Sequence, residues 1–163
     1  MNENLPLDPA VPPALAMPFI PKSAPALWNP NAAASWSILF TPAFGAYLHA
    51  QNARALGRKD EAKSNEAWFY GTLIFLAASL IIPFVPGLNQ LPTRFAGLAV
   101  LLVWYFSVAK SQVQYVKDTY GDTYPRSPWG MPLVVGSACL VGLFMVAFIL
   151  GFIVGMMSGG RLP

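Results

Sequence analysis

The chain has 163 residues, of which 55% are hydrophobic and only 10% charged, whereas roughly a quarter of residues are charged in ordinary soluble domains. That makeup excludes a water-soluble globule and makes the bilayer the better solvent. The net charge of +3 comes from ten Lys and Arg residues scattered in small groups, with none of the clustered basic faces that bind nucleic acid.

Residues 1–30 carry Pro6, Pro9, Pro12, Pro13, Pro18, Pro21, Pro25 and Pro30. This density rules out regular helix and predicts an extended, flexible tail. Glu3 and Asp8 precede the first basic residue, Lys22, and prolines interrupt the apolar stretches. The basic start and continuous apolar core of a cleaved signal peptide are therefore not found, and insertion is expected to rely on internal helices.

The membrane domain is expected over residues 31–163, as an all-α bundle with three or four transmembrane helices. Its first block, about residues 31–56, opens with AAASWSILFTPAFGAYLHA. About 19 residues at 1.5 Å each just cover a hydrocarbon core of roughly 30 Å. Pro42 would bend such a helix, and Ser35, Ser37, Thr41 and His49 make it more polar. The block reads as a marginal span, with an interfacial or re-entrant helix as the alternative.

Gly57 is expected to end this helix and Asp60 or Ser64 to begin the next, which runs over about residues 66–85. Its stretch WFYGTLIFLAASLIIPFV holds no charge, opens on three aromatic residues suited to the headgroup boundary, and stops at Pro83 and Pro86. The third helix, about residues 94–118, passes Lys110 because a long basic side chain can reach back to the interface. Gly121 ends it, and the proline-rich loop DTYPRSPWGMP follows.

The fourth helix, about residues 132–157, is the longest apolar run and contains the single cysteine, Cys139. With one cysteine, neither an internal disulfide nor a Cys-based metal site can form, and Cys139 reads as a small buried hydrophobe. Ala147, Gly151, Gly155 and Gly159 recur four apart, giving a strip on which another helix could pack closely. Ordinary glycine enrichment in membrane helices explains the strip equally well. No internal repeat or strand-like alternation is visible.

If all four blocks cross, Arg54, Arg58, Lys59, Lys63, Lys110, Lys117 and Arg126 share one side, against Lys22, Arg94 and Arg161 on the other. The richer side is expected in the cytoplasm. If the first block does not cross, Lys22 joins that side and three spans remain. The orientation of the last three helices is the same in both cases.

No constellation for catalysis is visible. His49 has no second His or Cys to share a metal, and Asp60, Glu61 and Glu66 lie among Arg58, Lys59 and Lys63, as solvated helix pairs do. Intramembrane acidic or basic residues, the usual mark of pumps and carriers, are missing from the second and fourth blocks. A non-enzymatic protein without cofactor or metal is expected, with the lipid bilayer and a protein partner as its binding surfaces.

The segment Trp28–Ala62 orders Trp-Asn-Pro, Trp-Ser, Phe-Thr-Pro, Phe-Gly-Ala and Ala-Leu-Gly ahead of a charged stretch and a span. It resembles a recurrent segment of small multi-pass inner-membrane proteins of Gram-negative bacteria. Some proteins of this type are immunity partners of type VI secretion effectors that act on the inner membrane. The resemblance implies an immunity protein against a membrane-acting toxin and supplies no catalytic residue. A structural or accessory subunit of a larger inner-membrane complex is the alternative.

Overall fold

The structure is a computed structural model, and it describes residues 24–85, 87–88 and 95–157. Residues 1–23, which contain most of the expected tail, and Gly159 of the small-residue strip lie outside the described residues. Among the described residues the chain is all-α. It comprises α1 (Pro30–Phe40), α2 (Pro42–Ala55), α3 (Lys59–Ile81), α4 (Ala96–Trp104), α5 (Lys110–Tyr120) and α6 (Gly130–Met157). A π turn, Tyr105–Ala109, joins α4 to α5 in one continuous helical rod. Three rods are long and apolar enough to cross a membrane: Lys59–Phe84, Ala96–Tyr120 and Gly130–Met157. The protein is therefore a helical membrane protein, with three such helices among the described residues.

The first block does not form a fourth. Pro42 has no N–H to continue the helix of α1, and it biases Thr41 away from helical backbone. Thr41 stands at φ 77 and ψ 160, a region almost confined to glycine, and there the chain reverses. Successive contacts then pair the two arms in antiparallel order: Trp28 with Asn52, Pro30 with His49, and Ser37 beside Gly45. Arms of 11 and 14 residues reach about 16 and 21 Å, short of the roughly 30 Å core. The block is a helical hairpin whose two ends lie beside each other.

Small residues make the hairpin possible. Ala33, Ala34 and Ser37 of α1 and Ala43, Gly45, Ala46, Ala50 and Ala53 of α2 are buried. Without bulky side chains the backbones approach closely, which strengthens packing where lipid supplies no hydrophobic drive. Gly45 is the tightest point, since a Cβ there would collide with the Ser37 hydroxyl and the Trp104 ring.

The turn from α2 to α3 follows from Gly57. At φ +74 it lets Arg58 N–H reach the Ala53 carbonyl at 2.8 Å and its own N–H the Arg54 carbonyl at 3.0 Å. This Schellman cap satisfies two carbonyls that the ending helix would otherwise leave free. Helix α3 then returns antiparallel to α2, with Tyr47 against Phe69 and Arg54 paired to Glu66 at 2.7 Å.

By contrast, α6 barely touches the rest. Its tightest seat is Gly136, where a Cβ would lie 3.1 Å from Phe44 and 3.2 Å from Phe40. Beyond it, Val141, Phe144, Phe148 and Phe152 point outward. Cys139 is likewise exposed, which corrects the expectation of a buried thiol.

Gly45→Val should lower the thermal midpoint in detergent, with a cost of about 1–3 kcal/mol or more for overpacking a rigid contact. Gly136→Leu should release α6 alone, leaving the Trp104 fluorescence environment unchanged while protease sensitivity rises in the loop before α6. Unchanged midpoints in Gly45→Val would mean that the seam is loose.

Candidate functional site

The buried polar groups gather at one end of the molecule, where α2, α3 and α5 meet. Trp104 is fully buried there, and its ring meets the His49 imidazole edge-on, centroids 5.3 Å apart. Its indole N–H donates to Asn65 Oδ1 at 3.3 Å, and Asn65 Nδ2 donates to the Glu61 carbonyl. Gln112 Nε2 donates to the His49 carbonyl at 2.9 Å and to Glu61 Oε1 at 3.1 Å. The other carboxylate oxygen, Oε2, pairs with Arg58 at 2.7 Å, and the Arg58 guanidinium stacks over Tyr115 at 4.2 Å.

The π turn brings two of these residues together. In an uninterrupted α-helix, positions eight apart lie about 80° out of line. A π turn absorbs one extra residue, which reduces the offset of Trp104 and Gln112 to about 20°. Both can then face the α2–α3 pair.

A second set of bonds ties the chain before α1 to the same end. Asn52 clamps Trp28 from both sides, accepting from its N–H at 3.0 Å and donating to its carbonyl at 2.8 Å. The Trp28 indole donates to the Pro128 carbonyl. Leu27 donates to Pro125 and accepts from Ser127, and its side chain is buried with Val116 and Tyr124. The Trp-Asn-Pro motif is thus a strap joining the hairpin to the loop before α6, with Asn29 capping α1 through Asn31 and Ala32. The stretch read as tail is packed from Leu27 onward.

His49 is fully buried. Its Nε2–H donates to the Pro30 carbonyl at 3.0 Å, which leaves Nδ1 as the bare acceptor of the neutral ring. Nδ1 and Gln112 Oε1 have no hydrogen-bond partner among the described residues. Burial removes the imidazolium from water and pushes the His49 pKa down from 6.5 to about 4, against a smaller upward pull from Pro30. The ring is therefore a neutral strut at neutral pH.

Two surface depressions lie away from this cluster, along one face of α6 from Val141 to Ile149 and beside Ser64, Ala67 and Trp68. Among the described residues no three His, Cys, Asp or Glu side chains group as metal ligands. The arrangement can lock α3, α4 and α5 to the hairpin.

Ala147, Gly151 and Gly155 lie on the outer part of α6 and are half-exposed. A Cβ at Gly151 would meet no atom within 4 Å. The close seats for small residues are instead in the hairpin and at Gly136. Sequence reading passed over Asn52, Asn65, Trp104 and Gln112; their available signal is that each is polar, or polar-tipped, beside an apolar run. Glu61, expected as a solvated partner of nearby lysines and arginines, is drawn inward by Gln112, and Asp122 pairs with Arg126 at 3.2 Å.

The His49 shift has a definite sign. The unfolded chain binds its proton near 6.5 and the folded one near 4, so stability from this group is complete above pH 6.5 and is lost as pH falls toward 4. The loss approaches about 3 kcal/mol. Thermal midpoints in detergent should fall across this window, and His49→Gln should flatten that part of the profile; a parallel fall in the variant would remove His49 as its cause. In comparisons with known proteins, no family model, curated protein or solved structure matches the chain.

Proposed function

We propose that this chain is a non-enzymatic binding protein of the bacterial inner membrane, and that its partner is a membrane-acting toxin delivered by type VI secretion, which it neutralises as an immunity protein. The observation that carries the binding role is the division of labour in the fold. Polar bonds and small-residue packing are concentrated at one end, while the apolar spans leave that end with most of their side chains uncovered. Such spans can lie along the membrane segments of another protein, where close packing rather than hydrophobic drive decides association.

The toxin as partner rests on the resemblance of Trp28–Ala62 to small inner-membrane proteins, and on the need for a defender to share the bilayer of its target. Every described Lys and Arg from Arg54 to Arg126 belongs to the connections or helix ends at the polar end. The excess of positive charge supports a cytoplasmic position for that end.

Single cysteines at Ser64 or Asp118, in a Cys139→Ser background, should resist an impermeant thiol reagent in intact cells and react after lysis. Ready labelling in intact cells would reverse the orientation. Cells lacking the gene should lose viability and membrane potential when challenged by siblings that deliver the effector encoded beside it, and the restored gene should protect them. Equal survival with and without the gene would overturn the immunity reading.

A further inference from the structure

Three rulers measure how deeply the hairpin α1–α2 enters the apolar layer. On α6, its tip residues Phe40 and Phe44 seat on Gly136, six residues past the start at Gly130, or about 9 Å. On the second rod, Gly45 meets Trp104, six residues before Lys110, the nearest charge, and the three residues from Gly45 back to Pro42 bring the tip to about 13 Å from the level of Lys110. On α3, Tyr47 meets Phe69, three residues past Glu66, and the five residues from Tyr47 back to Pro42 bring the tip to about 12 Å. Half of the hydrocarbon core is about 15 Å. All three rulers agree that the hairpin ends within one leaflet.

The hairpin also carries a lipid-compatible outer surface at that depth. Trp36, Ile38, Leu39 and Tyr47 are exposed on it, Ser37, His49 and Asn52 turn inward, and the exposed Ser35 hydroxyl is bonded back to the Asn31 carbonyl at 3.0 Å. Among the described residues, five helices consequently lie in the leaflet at the polar end, namely α1, α2 and the three rods, and three in the other. Two additional helices of roughly 10 Å diameter add about 160 Å² to one leaflet only.

We propose that this asymmetry makes the protein a wedge that binds preferentially to curved bilayer, concentrating where the leaflet holding the α1–α2 hairpin is convex. Lipid in the convex leaflet is spread apart, so seating two more helices there costs less than in a flat sheet, and more than that in a concave one. Shallow insertion into one leaflet is the general route by which membrane binding becomes curvature-sensitive. The wedge does not depend on which protein the spans bind.

The full chain can be tested without disrupting the hairpin. Ser64→Cys in a Cys139→Ser background is reconstituted in both orientations into giant vesicles of phosphatidylethanolamine and phosphatidylglycerol. An impermeant dye marks molecules whose polar end faces the bath, a permeant dye of another colour marks the remainder, and thin tubes are drawn outward. Outward-facing molecules should be enriched on the tube by roughly twofold or more relative to the flat membrane, and inward-facing ones depleted. Equal densities of the two colours on the tube, or enrichment of the inward-facing population, would overturn the proposal.

Discussion

The contact of Gly45 with Ser37 and Trp104 is the constraint on which the other features depend. With no side chain at residue 45, α1 can lie against α2, and the Trp104 ring can press on both. Once that ring is in place, its N–H fixes Asn65 on α3 and its face meets His49 on α2. The π turn that follows then delivers Gln112 to the His49 carbonyl and to Glu61. A single missing Cβ thereby connects the hairpin to two of the three spans.

The polar cluster gives the assembly its specificity. A buried polar group without a partner costs a few kcal/mol, so Asn52, Asn65 and Gln112 favour the arrangement in which each is bonded. Apolar surfaces in lipid have no such preference, because lipid solvates them as well as another helix does. The polar end is therefore built to be unique, and the outer halves of the spans remain available to lipid or to a partner.

The spans were legible in the sequence because eighteen or so uncharged residues have few other destinations in a cell. Gly57 and Gly121 were legible as helix ends because both occupy backbone that side chains disfavour. The hairpin was not fixed by its sequence in the same way. The residues 31–50 fit a bent span and a re-entrant pair equally well by length, and the decision falls to Thr41–Pro42 together with the alanine seams, whose meaning depends on a partner surface. The small-residue strip on α6 drew notice through its regular spacing, whereas Gly136, which seats Phe40 and Phe44, has no companion at that interval and gave no such signal. The sequence offers His49 no second metal ligand, but its bond to the Pro30 carbonyl spans a reversal that spacing does not reveal.

The fold-back of α1 on α2 is the central claim, and the distance between Asn31 and Gln51 measures it most directly. Spin labels on cysteines at these two positions, in a Cys139→Ser background and a lipid nanodisc, report that distance by pulsed electron resonance. A hairpin with packed arms 8–10 Å apart places the labels within about 20 Å of each other. A continuous helix across the bilayer separates them by about 30 Å, and a distribution centred there would contradict the fold.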